Sequence, residues 1–344
     1  MRKTCSEGKR VTPGNVADVD GSLWVITSYF NPIGYQRRRA NYRAFRRHLN
    51  LPLATIEWSP DSNFVLDDDE ADLMVRVGGG SLMWQKERLL NLLLPQLPAQ
   101  CRYVAWVDCD VVFERSDWGA AAIQTLQAWP LIQLYDTVRH AKQVELSRVD
   151  KIENWSEVGA EMARPGFVSA TEQNEPLAQW AQSHTRATVL NGDPSIGFAW
   201  AARRALLERH PFLDIWVAGG GDAALCFAAF GIPERVVLRH GLSDAHRDHY
   251  LPLARALAQT VKGQVGHLPG TIHALWHGEI DQRGYQARHQ FMARHGFDPS
   301  RFLQLAPSGV WQWTAAAGAL AVDVRDYFVR RNEDGLMPPP GSIN

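Results

Sequence analysis

Four cysteines in 344 residues, Cys5, Cys101, Cys109 and Cys226, are too few and too scattered for a disulfide framework or a cysteine-based metal site. Their scarcity favours a reducing compartment, so a cytoplasmic location is expected. No apolar run is long enough to cross a bilayer, and the opening MRKTCSEGKRVTPGNVADVDG lacks the apolar segment of a signal peptide. No membrane insertion is expected. A dominant charge is missing too: the formal net charge is −1, which gives no overall basic field for nucleic acid or an anionic membrane. Any polyanion has to be held by a local group of residues. There is no internal repeat and no linker to divide the chain. What is present is an ordinary globular composition, 45% hydrophobic and 21% charged, in a chain long enough to bury a large core. Thirteen tryptophans are many for this length. Core packing is their ordinary role, and flat aromatic faces also suit sugar rings.

Apolar, β-branched and aromatic runs alternate with helical stripes. Strands are expected at 22–30, 53–58, 73–77, 103–113, 131–135, 195–200, 236–238 and 272–276. Helices are expected at 35–50, 82–97, 118–129, 175–184, 201–210, 223–231, 244–261, near 283–295 and in the charged stretch ending at 332. This alternation predicts an α/β fold. One domain is expected over 21–332, with a loose leader at 1–20 and a tail at 333–344. Residues 136–173 show little periodicity and read as a long irregular insertion of the kind that carries binding loops. Ser81 suits the N-cap of helix 82–97, and the three glycines before it read as a loop. In helix 35–50, Arg37, Arg38, Arg39, Arg43, Arg46 and Arg47 form a solvated face, with nucleic-acid contact as the alternative. Asp193, before Pro194, reads as a turn residue.

The stretch 103–113, YVAWVDCDVVF, carries the chemistry. Its apolar residues suit a strand buried on both faces, yet Asp108 and Asp110 interrupt it. At ~5 Å and an effective dielectric of ~20, two carboxylates repel by roughly 3 kcal/mol, so such a pair calls for a cation or strong donors. Ligands of open α/β sheets bind beyond the carboxyl ends of strands. A metal-bound phosphate site follows; the alternative is that both acids simply close a loop.

With the strand and helix alternation, this Asp-x-Asp resembles the GT-A type of nucleotide-sugar glycosyltransferase. Three further stretches are similar to motifs of the β-1,4-galactosyltransferases. WQKERLLN (84–91) resembles the segment in which an aromatic packs on uracil and a basic residue contacts diphosphate. SIGFAW (195–200), followed by a helix and by Trp216 and Gly220-Gly221-Asp222, is similar to the acceptor-side segment whose acid is the catalytic base. His277 lies where that family carries a metal-binding histidine. Bacterial and phage glycosyltransferases of unassigned substrate look closer over WQKERLLN, GFAWAARR, PGTIHALWHG and RRNED. There are departures. The chain has Gly219-Gly220-Gly221-Asp222, one acid short, and Ala274 stands where the family has a methionine ligand. The galactose preference is therefore not carried over, and water or His273 is left to complete the coordination sphere.

The resemblance implies a GT-A (Rossmann-like) domain with a mixed, mainly parallel sheet flanked by helices, a donor half at about 21–135 and an acceptor half at about 136–332. It implies a metal-dependent enzyme moving a sugar from a nucleotide diphosphate sugar, UDP-linked, to a hydroxyl acceptor. Asp110 and His277 would hold the ion, with Asp108 at the ion or the ribose. Imidazole among carboxylates favours Mn²⁺ over Mg²⁺. Lys86 and Arg88 would serve the diphosphate, and Thr27, Tyr29 and Trp84 would frame the base. Asp222 would be the catalytic base, giving inversion. It equally suits the N-cap of the helix that follows. Trp216 and Trp276 suit sugar stacking or the core. Glycan, small molecule, protein and modified nucleic-acid base are all open as acceptors, and the location is bacterial cytoplasm, or host cytoplasm for a phage-encoded protein. A sugar nucleotidyltransferase or a non-catalytic carbohydrate-binding module is the alternative. The former would carry a glycine-rich basic loop after the first strand, where NPIGYQRRR has one glycine.

Overall fold

The structure, a computed structural model, describes residues 21–173, 194–284 and 287–335. The leader expected at 1–20, the helix expected at 175–184 and Asp193 lie outside them. Eleven strands build the two sheets that matter here: β1 (Leu23–Phe30), β2 (Leu53–Ser59), β3 (Leu73–Gly78), β4 (Tyr103–Val107), β5 (Val111–Phe113), β6 (Leu131–Gln133), β7 (Thr137–Ala141), β8 (Ala160–Pro165), β9 (Ala199–Arg203), β10 (Val265–His267) and β11 (Thr271–Ala274). The larger sheet has the order β10-β6-β9-β4-β1-β2-β3, parallel except for β9, which runs against both neighbours. The smaller has the order β5-β11-β7-β8. The fold is α/β with a mixed, mainly parallel central sheet flanked by helices.

The central strands are apolar because both faces are covered. Successive residues of a strand point to opposite faces. Leu23, Val25 and Tyr29 of β1 pack with Tyr42 and Phe45 of helix Gln36–His48, while Ile26 and Phe30 pack with Leu89, Leu90 and Leu93 of helix Lys86–Leu93. Each such buried side chain contributes about 1.5–3 kcal/mol.

Several expectations are corrected. The stretch 103–113 is two strands, because the acids break β4 and the chain passes to the second sheet as β5, antiparallel to β11 with Val111 opposite Ala274. The supposed insertion at 136–173 supplies β7, β8 and helix Phe167–Gln173. Residues 236–238 lie in helix Glu234–His240, entered at Pro233 and closed by Gly241 in the left-handed region. Ala201 to Arg203 belong to β9. Helix Lys86–Leu93 begins four residues late, and the Ser81 hydroxyl accepts from the Trp313 N–H instead of capping it.

The arginine helix is not a bare cationic face. Arg43 pairs with Glu70 and Arg46 with Asp72 in the acidic loop after β2; Arg47 pairs with Glu153, and Arg37 is buried. The supposed tail also begins too early. Asp334 accepts from the first N–H groups of that helix, Gln36 (3.1 Å) and Arg37 (2.8 Å), and Glu333 is buried. Among the described residues, no helix is long and apolar enough to cross a membrane.

Candidate active site

A cleft of about 470 Å³ opens where the carboxyl ends of β1 and β4 meet helices Lys86–Leu93 and Gly221–Ala229. Its position follows from the chain turning at 108–110 to change sheets. The Asp108 N–H donates to the Phe198 carbonyl (2.8 Å), and the Asp110 carbonyl accepts from the Leu275 N–H (2.8 Å). Phe198 has φ +77°, a strained conformation for a side-chain-bearing residue, at the point that fixes Asp108.

Asp110 and His277, far apart in sequence, meet here: Asp110 Oδ2 is 3.1 Å from His277 Nδ1. His277 Nδ1 also lies 2.8 Å from the Leu275 carbonyl. Burial, helped by Arg283, holds the imidazole well below its ordinary pKa, so it is neutral and the contact is not an ion pair. A neutral ring donating from Nδ1 to Leu275 keeps a lone pair on Nε2, the tautomer a metal ligand needs. Burial and then the Asp108 charge push Asp110 up to about 6. A carboxylate 8% exposed beside a neutral imidazole fits a cation. Among the described residues, however, no three His, Cys, Asp or Glu side chains are grouped to hold a metal. A divalent ion would therefore fit this pair only with its other positions filled by water or ligand oxygens.

Asp108 turns from Asp110 toward Lys86, whose Nζ is 2.6 Å from Asp108 Oδ1 and 3.1 Å from both oxygens of Asp222. Burial opposes the ammonium charge, but Asp108 and Asp222 outweigh it and hold Lys86 above its ordinary pKa. Asp222 is raised by burial, with Lys86 opposing. Asp222 is not an N-cap. The cap of helix Gly221–Ala229 is Gly220 at φ +112°, a conformation that favours glycine, and the Asp222 carboxylate faces the cleft. A β-carbon on Gly221 would lie 2.1 Å from Glu87 Oε1, so any larger residue at the start of this helix would have to displace Glu87.

Of the residues expected at the site, Trp84, Lys86, Asp108, Asp110, Asp222 and His277 line the cleft. Trp84 stacks on Phe328 with ring centroids 6.1 Å apart. Thr27 and Tyr29 do not line it. They lie on the opposite face of β1, Thr27 donating to the Val107 carbonyl (2.7 Å) and Tyr29 buried against Tyr42, whereas Ser28 and Phe30 face the cleft. Arg88 is also elsewhere, donating to the Gly309 carbonyl and to Asp214, because residues two apart on a helix face away from each other. His273 pairs with Glu114 (3.0 Å) outside the cleft. Trp216 and Trp276 are buried in the core.

Sequence reasoning missed other cleft residues. Glu87, inside WQKERLLN, is one of them; burial pushes its carboxyl up to about 8 against the pull of Lys86. Arg38 and Arg331 line the wall beside Trp84. His240 and His289 stack with ring centroids 3.7 Å apart beneath Gly220. No periodicity marks these positions. Only the charged residues inside otherwise apolar or aromatic stretches could have pointed to them.

No family model matches the chain, and no curated protein matches it. Among solved structures, it is similar to a mycobacterial protein (14% identity over 85% of this chain and 82% of that one, TM-score 0.40). It is also similar to glucosyl-3-phosphoglycerate synthase from Mycobacterium tuberculosis in complex with Mn²⁺, UDP and glucosyl-3-phosphoglycerate (14%, 87% and 91%, TM-score 0.37). A third is the mannosyltransferase PcManGT from Pyrobaculum calidifontis in complex with GDP-Man and Mn²⁺ (11%, 89% and 69%, TM-score 0.35). At these scores, function has to be argued from the cleft itself.

Proposed function

We propose that this chain is a GT-A type glycosyltransferase that moves a sugar from a nucleotide diphosphate sugar to a hydroxyl acceptor in the cytoplasm, with inversion at the anomeric carbon. The observation that supports this best is the gathering of Lys86, Asp108, Asp110, Asp222 and His277 from four separated stretches into one cleft. The likeness of three motifs to the β-1,4-galactosyltransferases is the reason for taking UDP as the nucleotide; no sugar is assigned. The donor half, about 21–135, contributes Trp84, Lys86, Asp108 and Asp110, and the acceptor half, about 136–332, contributes Asp222 and His277.

Asp110 and His277 would hold Mn²⁺, or Mg²⁺ in its place, which when bound supplies Lewis-acid stabilisation of the leaving diphosphate. Trp84 offers an aromatic surface to the base. Lys86 brings a buried positive charge to the leaving group and opposes the burial that raises Asp222. Asp222 accepts the proton of the attacking hydroxyl. Burial makes it more basic than a surface carboxylate, while the ammonium 3.1 Å away preserves its charge. A carboxylate acting as base rather than nucleophile gives direct displacement, hence inversion. With the arginine helix paired to acids of its own chain, a glycan, small molecule or protein acceptor fits better than a modified nucleic-acid base.

Incubation with candidate nucleotide sugars, hydroxyl acceptors and Mn²⁺ tests the reading. Release of free nucleoside diphosphate with a glycosylated product is expected. Release of pyrophosphate from a nucleoside triphosphate and a sugar 1-phosphate, in a parallel incubation, would identify a nucleotidyltransferase, and binding without any turnover a carbohydrate-binding module. Proton NMR of the product's anomeric centre separates inversion from retention.

A further inference from the structure

The motif RRNED, Arg330 to Asp334, places Arg331 on the cleft wall and Glu333 behind it. Helix Gly318–Arg330 ends there, and the chain turns through Asn332 at φ +45°. Glu333, 1% exposed, accepts from Arg38 with both oxygens, through Nε and through Nη2 (2.9 Å), and from Arg331 Nε (2.5 Å). Arg331, 3% exposed, donates from Nη1 to the Tyr327 hydroxyl (2.8 Å) and lies 5.5 Å from the centre of the Trp84 ring. Asp334 bonds the first turn of the helix that carries Arg38. The segment is also pressed against the loop after His277: a β-carbon on Gly278 would come within 2.6 Å of the Arg331 carbonyl. It therefore ties together the helix bearing Arg38, the aromatic Trp84 and the Asp110–His277 pair.

A buried Arg-Glu-Arg triad is a poor device for stability alone, since apolar residues of similar volume usually serve as well or better. The triad carries two positive charges and one negative. Glu333 spends both oxygens on holding two planar guanidinium groups side by side on the cleft wall, and Arg38 Nη1 takes no part in that fork. Planar forks of this kind match the paired oxygens of phosphate groups. We infer that Arg38 and Arg331 form an anion-binding wall for the donor's diphosphate and that Glu333 is the positioning residue that sets them there. The identity of the ligand rests on the glycosyltransferase reading; the anion wall itself does not.

The experiment is calorimetry on the full chain with UDP, GDP and inorganic pyrophosphate, and NMR titration with uridine, which has no phosphate. Variants are Arg38→Gln, Glu333→Gln and Glu333→Asp, with thermal melts to establish folding. Arg38→Gln and Glu333→Gln are expected to weaken UDP and pyrophosphate at least tenfold and leave uridine unchanged, and Glu333→Asp to recover part of the loss. A structural role alone would not separate UDP from uridine. Should Glu333→Gln fail to fold, Arg331→Lys keeps the charge without the fork and is expected to lose affinity for pyrophosphate at least threefold. Folded variants that bind UDP and pyrophosphate like the wild type, or lose uridine to the same degree, overturn the inference. Wild type that binds pyrophosphate through Arg38 but neither UDP nor GDP overturns the donor assignment and upholds the wall. Binding of none of these ligands overturns both.

Discussion

Replacing Lys86 with methionine keeps the side-chain volume and removes the charge between Asp108 and Asp222. Lys86 Nζ is 2.6 Å from Asp108 and 3.1 Å from Asp222, and the side chain is only 11% exposed. At an effective dielectric of about 20, those contacts amount to roughly 6 and 5 kcal/mol of gross attraction. Most of it offsets the cost of taking the charges out of water, so the net loss is that of removing one partner from a buried pair, about 3–5 kcal/mol. At about 2 °C per kcal/mol for a chain of this size, Tm should fall by roughly 6–10 °C. The loss has a pH signature. In the wild type Lys86 is held above its ordinary value, so its contribution is complete below about pH 10 and fades only as pH rises further. In the variant the two carboxylates face each other without the ammonium. The folded state then binds protons at Asp222 more readily than the unfolded chain, and stability recovers as pH falls. Thermal unfolding in EDTA at pH 7 and pH 5 measures this, with the larger deficit expected at pH 7. A variant as stable as the wild type at pH 7, or equally impaired at both, refutes the reasoning.

Three further predictions concern the same cleft. Asp222→Asn should bind donor within about twofold of the wild type while transfer falls about 10²–10⁴-fold, the range of a lost general base; stopped-assay turnover against calorimetric donor affinity decides, and retained turnover removes Asp222 from catalysis. For Glu87, burial raises the carboxyl to about 8, so folding becomes less favourable as pH climbs from the ordinary carboxylate range toward that value. Glu87→Gln should therefore melt higher than the wild type at pH 8.5 and show little advantage at pH 5. Gly221→Ala sets a methyl group 2.1 Å from Glu87 Oε1 and should cost about 1–3 kcal/mol by denaturant titration. Adding Glu87→Ala to the same chain should return most of it; no recovery would show that the clash is not the cause.

In the central sheet, β1 and β2 were legible because they are covered on both faces and read as apolar runs, and the half-buried edge strand β3 also lies where expected. The acids, however, end β4 at Val107, β9 begins four residues into the strand expected at 195–200, and β10 was not anticipated. In the second sheet β11 lies at the strand expected over 272–276 and β5 was read as the end of β4, but β7 and β8 were not anticipated. TVRHA and AEMARP of β7 and β8 are half-buried and carry polar residues, so they fail the test that finds a core strand. Val236, Val237 and Leu238 failed the other way, an apolar run with two β-branched residues held in a helix by Pro233 and Gly241, with Leu238 exposed. At the site, an acid pair at a strand end was readable from chemistry alone, whereas the meeting of Asp110 with His277 was anticipated only through the motif resemblance. Thr27 and Tyr29 were misplaced by strand parity: their polar tips suggested a ligand, but the odd positions of β1 face the helix Gln36–His48. The burial of Glu333 was invisible, because a charge run near solvent-like residues gives no sign of the guanidinium groups that surround it.

Asp108 and Asp110 are neighbours in the chain but tenants of different sheets. One follows β4 and is tied through its amide to Phe198; the other leads into β5 and is tied through its carbonyl to Leu275. The short turn between them is thus a gauge of shear. Any occupant that draws the two sheets together, or wedges them apart, alters the spacing of the carboxylates and with it the charge each one feels. Sensitivity to what fills the cleft is built into the backbone, before any side chain moves.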